Sequence, residues 1–277
     1  MSATVSTLIR TCGLDRLDAR VLMQHVLGVN RAWLVAHGDD VLDDTSCKRF
    51  NALVARRAAG EPVAYLVGER EFWGRPFLVT KDVLIPRPET ELLIETALAT
   101  LDATAPLRVL DVGTGTGCIA ITLALEAPAW QVSALDISPA ALQIAARNAD
   151  QLGARVNLLE SDMLDALRQQ TPLPQFDLIV SNPPYIPAGD PHLVQGDLRF
   201  EPASALTDQQ DGLSCYRHLA IHAPSLLVPG GILMLEHGYD QGVSVPALLQ
   251  QAGWQDVECL QDLAGQPRLT RARRLAG

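Results

Sequence analysis

Segments with helical and strand patterns alternate regularly beyond about residue 89, and this alternation is the feature that most constrains the fold. Helices are predicted at residues 89–101, 117–126, 138–152, 212–227 and 244–252. Strands are predicted at residues 107–111, 131–135, 156–160, 176–181 and 231–236, and two more follow the last helix. This order is typical of a parallel sheet covered by helices on both faces. Ligands of such sheets bind beyond the carboxyl ends of the strands.

The first part of the chain has a purely helical pattern. Apolar residues recur at three- and four-residue spacing over residues 14–26, and a second helix is predicted at about residues 44–59, each with a glycine as its stop signal. Residues 69–84 then alternate apolar and polar side chains around Gly74, which predicts a β-hairpin. We therefore expect a helical domain over residues 1–65, a hairpin linker over 66–84 and an α/β domain over 85–277.

Composition narrows the possible functions. The 277 residues are 48% hydrophobic, enough for a large core and a small second domain. Apolar stretches stay well short of 18 residues, and the first residues lack a basic start followed by an apolar block, so we expect a cytoplasmic protein that does not contact membranes. The net charge of −10 disfavours nucleic acid as the main partner.

The cysteine and histidine pattern argues against metal sites and disulfides. Five cysteines are scattered without a C-x-x-C pair, which disfavours both a zinc site and a disulfide framework. His218 and His222 share a helix face, but the sequence offers no third ligand nearby. We therefore predict no metal.

A glycine-rich loop, Asp-Val-Gly-Thr-Gly-Thr-Gly at residues 111–117, follows the first strand of the α/β domain and opens a helix. Strand, loop and helix in this order predict a nucleotide site. The spacing is G-x-G-x-G, whereas dinucleotide sites use G-x-G-x-x-G. Asp111 is expected at the mouth of the loop, where its carboxylate would repel a pyrophosphate. S-adenosylmethionine, a cation without phosphate, is therefore favoured over NAD.

Two other strand ends supply candidate cofactor contacts. Asp136 ends the second strand, where a carboxylate can accept from both ribose hydroxyls, cap the following helix, or do both. Asp162 and Met163 follow the third strand and are candidates for the edge of the adenine. The candidate cofactor-binding residues are Asp111, Gly113, Thr114, Gly115, Thr116, Gly117, Asp136, Asp162, Met163 and Asn182.

The fourth strand ends abruptly in Asn182, Pro183, Pro184 and Tyr185. The apolar run before it is typical of a strand buried on both faces. The prolines have fixed φ angles and no N–H, so they hold the Asn182 amide and the Pro183 carbonyl stiffly at the strand end. A strand-ending turn would explain Asn-Pro alone, while a binding site would explain the stiffness of the whole motif.

These motifs resemble the class I methyltransferases that modify exocyclic or amide nitrogens. Nearly the whole chain resembles more closely the HemK/PrmC family, the glutamine methyltransferases of bacterial peptide chain release factors. The matching blocks are residues 85–91 (Ile-Pro-Arg-Pro-Glu-Thr-Glu), 111–117, 182–185, 197–202 (Asp-Leu-Arg-Phe-Glu-Pro) and 235–238 (Leu-Glu-His-Gly). The first block is the specific one, because Asn-Pro-Pro-Tyr also occurs in enzymes acting on adenine or guanine amino groups.

The resemblance implies a fold and a set of roles. The fold is a Rossmann-like sheet, mostly parallel with an antiparallel last strand. The cofactor is S-adenosylmethionine, held by residues 113–117, Asp136 and Asn182, although some members carry an aromatic residue where this chain has Met163. The substrate is the glutamine of a Gly-Gly-Gln tripeptide. Asn182, Pro183, Pro184 and Tyr185 bind it, and the first, second and fourth of these are the catalytic residues.

The resemblance also implies that the helical domain grips the release factor elsewhere, and we expect a monomer. Two other functions stay open. One is methylation of nucleobase amino groups in RNA or DNA, which a basic face would favour. The other is a non-catalytic module that docks on release factors or ribosomes, which the intact Gly113, Asp136 and Asn182 disfavour.

Overall fold

The computed structural model describes residues 4–275, which form two compact units. The helical unit extends from residue 4 to Glu69 and includes Gln195–Phe200. The sheet unit contains Arg70–Val194 and residues 201–275. In the described part of the chain, every helix is too short or too polar to cross a membrane.

The helical unit consists of short helices around one small core. Its helices are α1 (Val5–Thr11), α2 (Arg16–Leu27), α3 (Arg31–Ala36), α4 (Asp44–Ala58) and α5 (Val63–Val67). The side chains of Asp15, Asn30 and Asp43 cap the amino-terminal ends of α2, α3 and α4. The predicted helices correspond to α2 and α4, whereas α1, α3 and α5 were not predicted because five to seven residues carry too little periodicity.

The segment Gln195–Phe200 is bound to the helical unit by charged side chains. Arg57 on α4 forms ion pairs with Asp18 and Asp197, at N···O distances of 2.7 and 2.8 Å. Arg199 donates a hydrogen bond of 2.7 Å to the carbonyl of Ala59. This part of the 197–202 motif therefore serves the helical unit.

A hairpin of β1 (Glu69–Phe72) and β2 (Arg75–Leu78) leads into the sheet unit. Phe72 and Phe77 are buried in a core cluster of the sheet unit, with their rings edge to face at 6.0 Å. The backbone N–H of Trp73 in the turn donates to the Glu91 carboxylate at 2.8 Å. The strands end at Leu78, earlier than predicted, because the following residues form turns.

The sheet unit contains a seven-stranded sheet with helices packed against it. Its strands are β3 (Arg108–Val112), β4 (Gln131–Asp136), β5 (Val156–Glu160), β6 (Phe176–Ser181), β7 (Leu227–Glu236), β8 (Gln255–Gln261) and β9 (Pro267–Arg273). Their order is β5-β4-β3-β6-β7-β9-β8, and β3 to β7 run parallel. The last strand, β9, is antiparallel to its neighbours. The predicted Rossmann-like fold is thus confirmed.

The helices of this unit are α6 (Glu91–Thr100), α7 (Cys118–Glu126), α8 (Pro139–Leu152), α9 (Asp165–Arg168), α10 (Ala203–Leu206), α11 (Ser214–His222) and α12 (Ser244–Gln251). The helix predicted at 212–227 was too long: α11 ends at His222, and a 3-10 turn, Ala223–Leu226, follows. Pro224 lacks the N–H that would continue the helix. The short α9 and α10 had no predicted counterpart.

Candidate active site

A cleft of about 740 Å³ opens at the carboxyl ends of the parallel strands. Val112 is in register with Leu135 on β4 and with Ser181 on β6, so the loops after these three strands meet at one edge. Residues that line the cleft include Arg87, Thr90, Gly113, Thr114, Gly115, Thr116, Asp136, Asp162, Met163, Asn182, Pro184, Asp208 and His218. The predicted candidates from three different strand ends are therefore close together.

The glycine loop is pinned to the neighbouring strand by its backbone. The N–H groups of Gly113 and Thr114 both donate to the carbonyl of Leu135, at 2.9 and 2.8 Å. A Cβ atom added at Gly113 or Gly115 would meet no atom within 4 Å. These two glycines leave open space where a ligand can approach the backbone closely.

Gly117 plays a different part, since it packs against the helix behind the loop. It lies just before α7 with a φ of +81°, in the left-handed region that favours glycine. A Cβ atom here would lie 2.8 Å from Ile121 Cδ1 and 3.2 Å from Ala145 Cβ. Gly117 is not among the lining residues, so its role is to let the loop and helix pack.

The predicted position of Asp111 was wrong. Its carboxylate is not at the mouth of the loop but fully buried beneath it, where Oδ2 accepts from the Thr114 hydroxyl at 2.6 Å. Burial raises the pKa of Asp111 to about 7. The strand ends one residue later than predicted, at Val112, so the loop folds over the carboxylate and covers it.

Asp136 does not cap α8, as one of its two predicted roles required, because the N-cap is Ser138, whose side chain accepts from the N–H of Ala141. Asp136 lines the cleft, its Oδ1 accepts from the backbone of Ser138 at 2.9 Å, and its Oδ2 accepts from the backbone of Gly115 at 2.8 Å. Burial raises the pKa of this carboxyl. Each oxygen has a further lone pair, so the carboxylate can also accept from a ligand. It fixes the glycine loop relative to α8.

The Asn-Pro-Pro-Tyr motif presents some of its residues to the cleft and buries others. Asn182 and Pro184 line the cleft, whereas Pro183 is buried and Tyr185 packs partly against the core. The Asn182 Nδ2 donates to Thr90 Oγ1 at 3.3 Å. The Tyr185 carbonyl accepts from Gln241 Nε2 at 3.1 Å, which holds the end of the motif.

The structure assigns roles to residues that the pattern analysis did not single out. Glu201 is buried, forms an ion pair with Arg87 and accepts from the backbone N–H of Ile85 at 3.0 Å. The blocks at 85–91 and 197–202 therefore meet at one carboxylate. Thr90 and Glu236 lie in quoted motifs as well, so the motifs themselves were the available signal.

His218 lines the cleft from α11, and its ring lies 4.6 Å from that of His222. Burial, followed by the neighbouring His222, lowers the pKa of His218, which keeps the ring neutral. Within residues 4–275, no three His, Cys, Asp or Glu side chains are grouped closely enough to hold a metal ion.

Comparison with known proteins decides the family. A family model described as the PrmC N-terminal domain matches residues 4–68, and one described as the methyltransferase small domain matches residues 88–196. The release factor glutamine methyltransferase of Bordetella pertussis is 53% identical over 93% of this chain and 94% of its own. The chain belongs to the release factor glutamine methyltransferase family. The predicted family and the methyltransferase class of enzyme are confirmed.

Another relative supports the family, and solved structures support the fold. The release factor glutamine methyltransferase of Escherichia coli is 46% identical over 93% of this chain and 92% of its own. A methyltransferase from Pyrococcus furiosus superposes with a TM-score of 0.55 at 17% identity, covering 80% of this chain and 97% of its own. The 16S rRNA N2 G1207 methyltransferase of T. thermophilus, solved with AdoMet and guanosine, has a TM-score of 0.52 at 20% identity, covering 74% and 49%. These two structures share the fold with this family member.

Proposed function

We propose that this protein transfers a methyl group from S-adenosylmethionine to the side-chain amide nitrogen of the glutamine in the Gly-Gly-Gln motif of bacterial peptide chain release factors. Relatives 53% and 51% identical carry the corresponding name over more than nine-tenths of the chain. The observation that carries the proposal is the Asn182 side chain. It lines the cleft with its Nδ2 bonded to Thr90, and none of the described residues donates to its Oδ1.

The chemistry of the cleft fits S-adenosylmethionine better than a dinucleotide. Its lining includes four carboxylates and one guanidinium: Asp82, Asp136, Asp162, Asp208 and Arg87. The guanidinium is already paired with Glu201. Such a surface repels a pyrophosphate and attracts a sulfonium and an ammonium. The open space over Gly113 and Gly115 suits close approach of the ligand to the loop.

Three parts of the cleft would hold this cofactor. Residues 113–117, of which all but Gly117 line the cleft, would lie along the cofactor. Asp136 would accept hydrogen bonds from the ribose hydroxyls, and Asp162 and Met163 would border the adenine. The Met163 thioether can pack on the ring as the aromatic residue of other members does. S-adenosylmethionine supplies a methyl group that its sulfonium makes electrophilic.

The protein's contribution is to orient a poor nucleophile. The lone pair of an amide nitrogen is delocalised into the carbonyl group, so the nitrogen attacks only when it is well aimed. Asn182 Oδ1 and the Pro183 carbonyl accept the two N–H bonds of the substrate amide and leave its lone pair facing the methyl group. Orientation of this kind can lower a barrier by up to about 7–11 kcal/mol.

The same acceptors select glutamine over glutamate. A glutamate side chain would leave an acceptor unpaired, at a cost of about 1–3 kcal/mol. Tyr185 lies against the substrate amide and excludes water. Burial raises the pKa of Tyr185 to about 12, so its phenol stays neutral and does not act as a base. The amide proton leaves to solvent after transfer, when the nitrogen has become acidic.

The helical region contributes to substrate choice in this proposal. Residues 1–65 recognise the release factor away from its Gly-Gly-Gln motif, and residues 85–277 carry out methyl transfer. Residues 66–84 link these two domains. The protein acts as a cytoplasmic monomer, since its substrates work where translation terminates, and it neither contacts membranes nor binds nucleic acid as its main partner.

Mass spectrometry of a release factor tests the substrate. After incubation with the protein and labelled S-adenosylmethionine, we expect one methyl group on the Gly-Gly-Gln peptide and none on a factor whose glutamine is replaced by glutamate. Label in ribosomal or transfer RNA instead would favour nucleobase methylation. Binding of the factor without any transfer would favour the non-catalytic module.

Asn182→Ala tests the acceptor mechanism. Removing a comparable preorganised group costs about 10²–10³ in turnover, and we expect a loss of that size in single-turnover methylation at saturating cofactor. Asn182→Asp keeps an acceptor oxygen but adds charge, so its rate should be intermediate. A near wild-type rate for Asn182→Ala would refute the role of Asn182.

A further inference from the structure

Two buried side chains from other parts of the sheet unit lie behind Asn182. Thr90 belongs to the 3-10 turn Pro88–Thr90, and Glu236 ends β7. Both are 2% exposed. Thr90 Oγ1 accepts from Asn182 Nδ2 at 3.3 Å. On its other side, the Thr90 hydroxyl is the hydrogen-bonding neighbour that lowers the pKa of the buried Glu236 carboxyl. The three residues therefore form a chain from the core to the cleft.

The direction of the hydrogen bonds from Asn182 through Thr90 to Glu236 follows from the number of protons that each group can donate. A hydroxyl has one proton to donate and can accept from others. When Thr90 donates its proton to Glu236, its oxygen can only accept on the other side. The Asn182 NH₂ group must then face Thr90, and the Asn182 Oδ1 must face away from it. Without Thr90, the two ends of the amide would be nearly equivalent in shape, and either could point into the cleft.

We propose that Thr90 and Glu236 are positioning residues that fix the orientation of the Asn182 amide, so that its Oδ1 meets the N–H of the methyl-accepting amide. This inference rests on the proposed function, because only an N–H donor in the substrate requires the oxygen end of Asn182. A flipped Asn182 would place its own N–H groups against those of the substrate and lose the hydrogen bond.

The environment of Glu236 is compatible with this role in either protonation state. Burial raises the pKa of Glu236 to about 7, while Thr90, Arg268 and Arg87 oppose the rise and Glu89 adds to it. An ionised carboxylate accepts from Thr90 through either oxygen, and a neutral carboxyl still accepts through its carbonyl oxygen. Glu236 Oε2 has no hydrogen-bond partner among the described residues, so this oxygen is not committed to another group.

Two matched pairs of variants test the proposal in the full-length protein. Thr90→Val removes the hydroxyl at nearly constant shape, and Thr90→Ser restores it. Glu236→Leu removes the acceptor, and Glu236→Gln keeps a carbonyl oxygen. We measure single-turnover methylation of a release factor at saturating cofactor, and S-adenosylmethionine affinity by calorimetry. Unchanged affinity also reports that the fold is intact.

We expect Thr90→Val and Glu236→Leu to lower the methylation rate by about tenfold to a hundredfold, in line with the loss of a preorganised contact. Cofactor affinity should stay within about twofold, since one lost hydrogen bond is a small part of the free energy of cofactor binding. Thr90→Ser and Glu236→Gln should recover most of the methylation rate. A wild-type rate for Thr90→Val, or equal losses in Thr90→Ser and Thr90→Val, would overturn the proposal. Failure of the proposed function would appear differently, as no methylation by the wild-type protein.

Discussion

At the scale of single residues, the unusual feature is a pair of buried carboxyls beneath the cleft. Asp111 and Glu236 are both fully covered, and burial raises the pKa of each to about 7. Each has one oxygen without a hydrogen-bond partner in the described part of the chain. Buried acids of this kind hold protons in the folded protein that the unfolded chain has released.

These carboxyls predict that stability falls as pH rises. Below about pH 4 these carboxyls are protonated in both the folded and the unfolded chain, and their contribution to the free energy of unfolding is fully present. That contribution is lost progressively as pH rises through the folded-state pKa of about 7. We expect urea titrations of the wild type to give a free energy of unfolding that declines from about pH 5 to about pH 8. Glu236→Gln should decline less steeply. If the free energy of unfolding declined equally steeply with pH in both proteins, Glu236 would not be a source of the decline.

Asp136 predicts a loss of cofactor affinity. Asp136→Ala removes the proposed ribose acceptor and the anchor of Gly115, and we expect S-adenosylmethionine to bind about 10- to 100-fold more weakly by calorimetry, since hydrogen bonds to a charged group contribute about 1.5–3 kcal/mol each. Asp136→Asn, which keeps the shape, is the control and should lose less. NAD should not bind to the wild type. Equal affinity in Asp136→Ala would exclude the ribose contact.

At the scale of elements, separate sequence blocks come together at the carboxyl edge of the sheet. The 3-10 turn Pro88–Thr90 contacts the residue that follows β6 through the hydrogen bond between Thr90 and Asn182. Glu201 binds the backbone of Ile85 and the side chain of Arg87. Each block is short and irregular by itself. Their joint placement depends on the parallel strands, which align the loops.

Two glycines of one loop predict different balances between lost stability and lost cofactor binding for the same substitution. Gly117→Ala places a Cβ 2.8 Å from Ile121 Cδ1 at a left-handed φ, so we expect a lower free energy of unfolding by about 1–3 kcal/mol. Gly113→Ala meets no protein atom and should cost stability only through its φ, about 1–2 kcal/mol. It should nevertheless weaken cofactor binding more, because its methyl group occupies the open space of the cleft.

Urea unfolding and calorimetry of both variants separate these effects. If Gly113→Ala bound S-adenosylmethionine as tightly as the wild type, the space above the first glycine would not be part of the cofactor site.

At the scale of the whole molecule, the two units have separate cores. Val5, Leu22 and Phe50 belong to the core of the helical unit, and the cleft is lined entirely by residues of the sheet unit. In the proposed function, cofactor binding and chemistry therefore depend on the sheet unit, which leaves the helical unit available for recognition.

Deletion of residues 1–65 tests that division. We expect the truncated protein to keep its affinity for S-adenosylmethionine but to methylate a full-length release factor more slowly, because the proposed recognition surface is gone. A short Gly-Gly-Gln peptide serves as the control, and its methylation rate should change little. If the full-length factor were methylated as fast as by the intact protein, the helical unit would not contribute to recognition.

The sequence by itself determined the class of fold, the family and nine of the residues that line the cleft. Alternating apolar periodicity, the G-x-G-x-G spacing and the rigid Asn-Pro-Pro-Tyr end are local properties of the chain, and local chemistry decides them. Carboxyl ends of parallel strands must share an edge, so the order of strands along the chain already groups the candidates from three strands.

Only the tertiary structure decided which polar groups meet and which are covered. Asp111 was expected at the surface of the loop and is buried, and Thr90 contacts Asn182 across 92 positions of the chain. Glu201 reaches Ile85 across 116 positions. Burial and hydrogen bonding of this kind arise when packed elements exclude water and bring distant residues together, and no pattern within a short stretch of sequence carries that information.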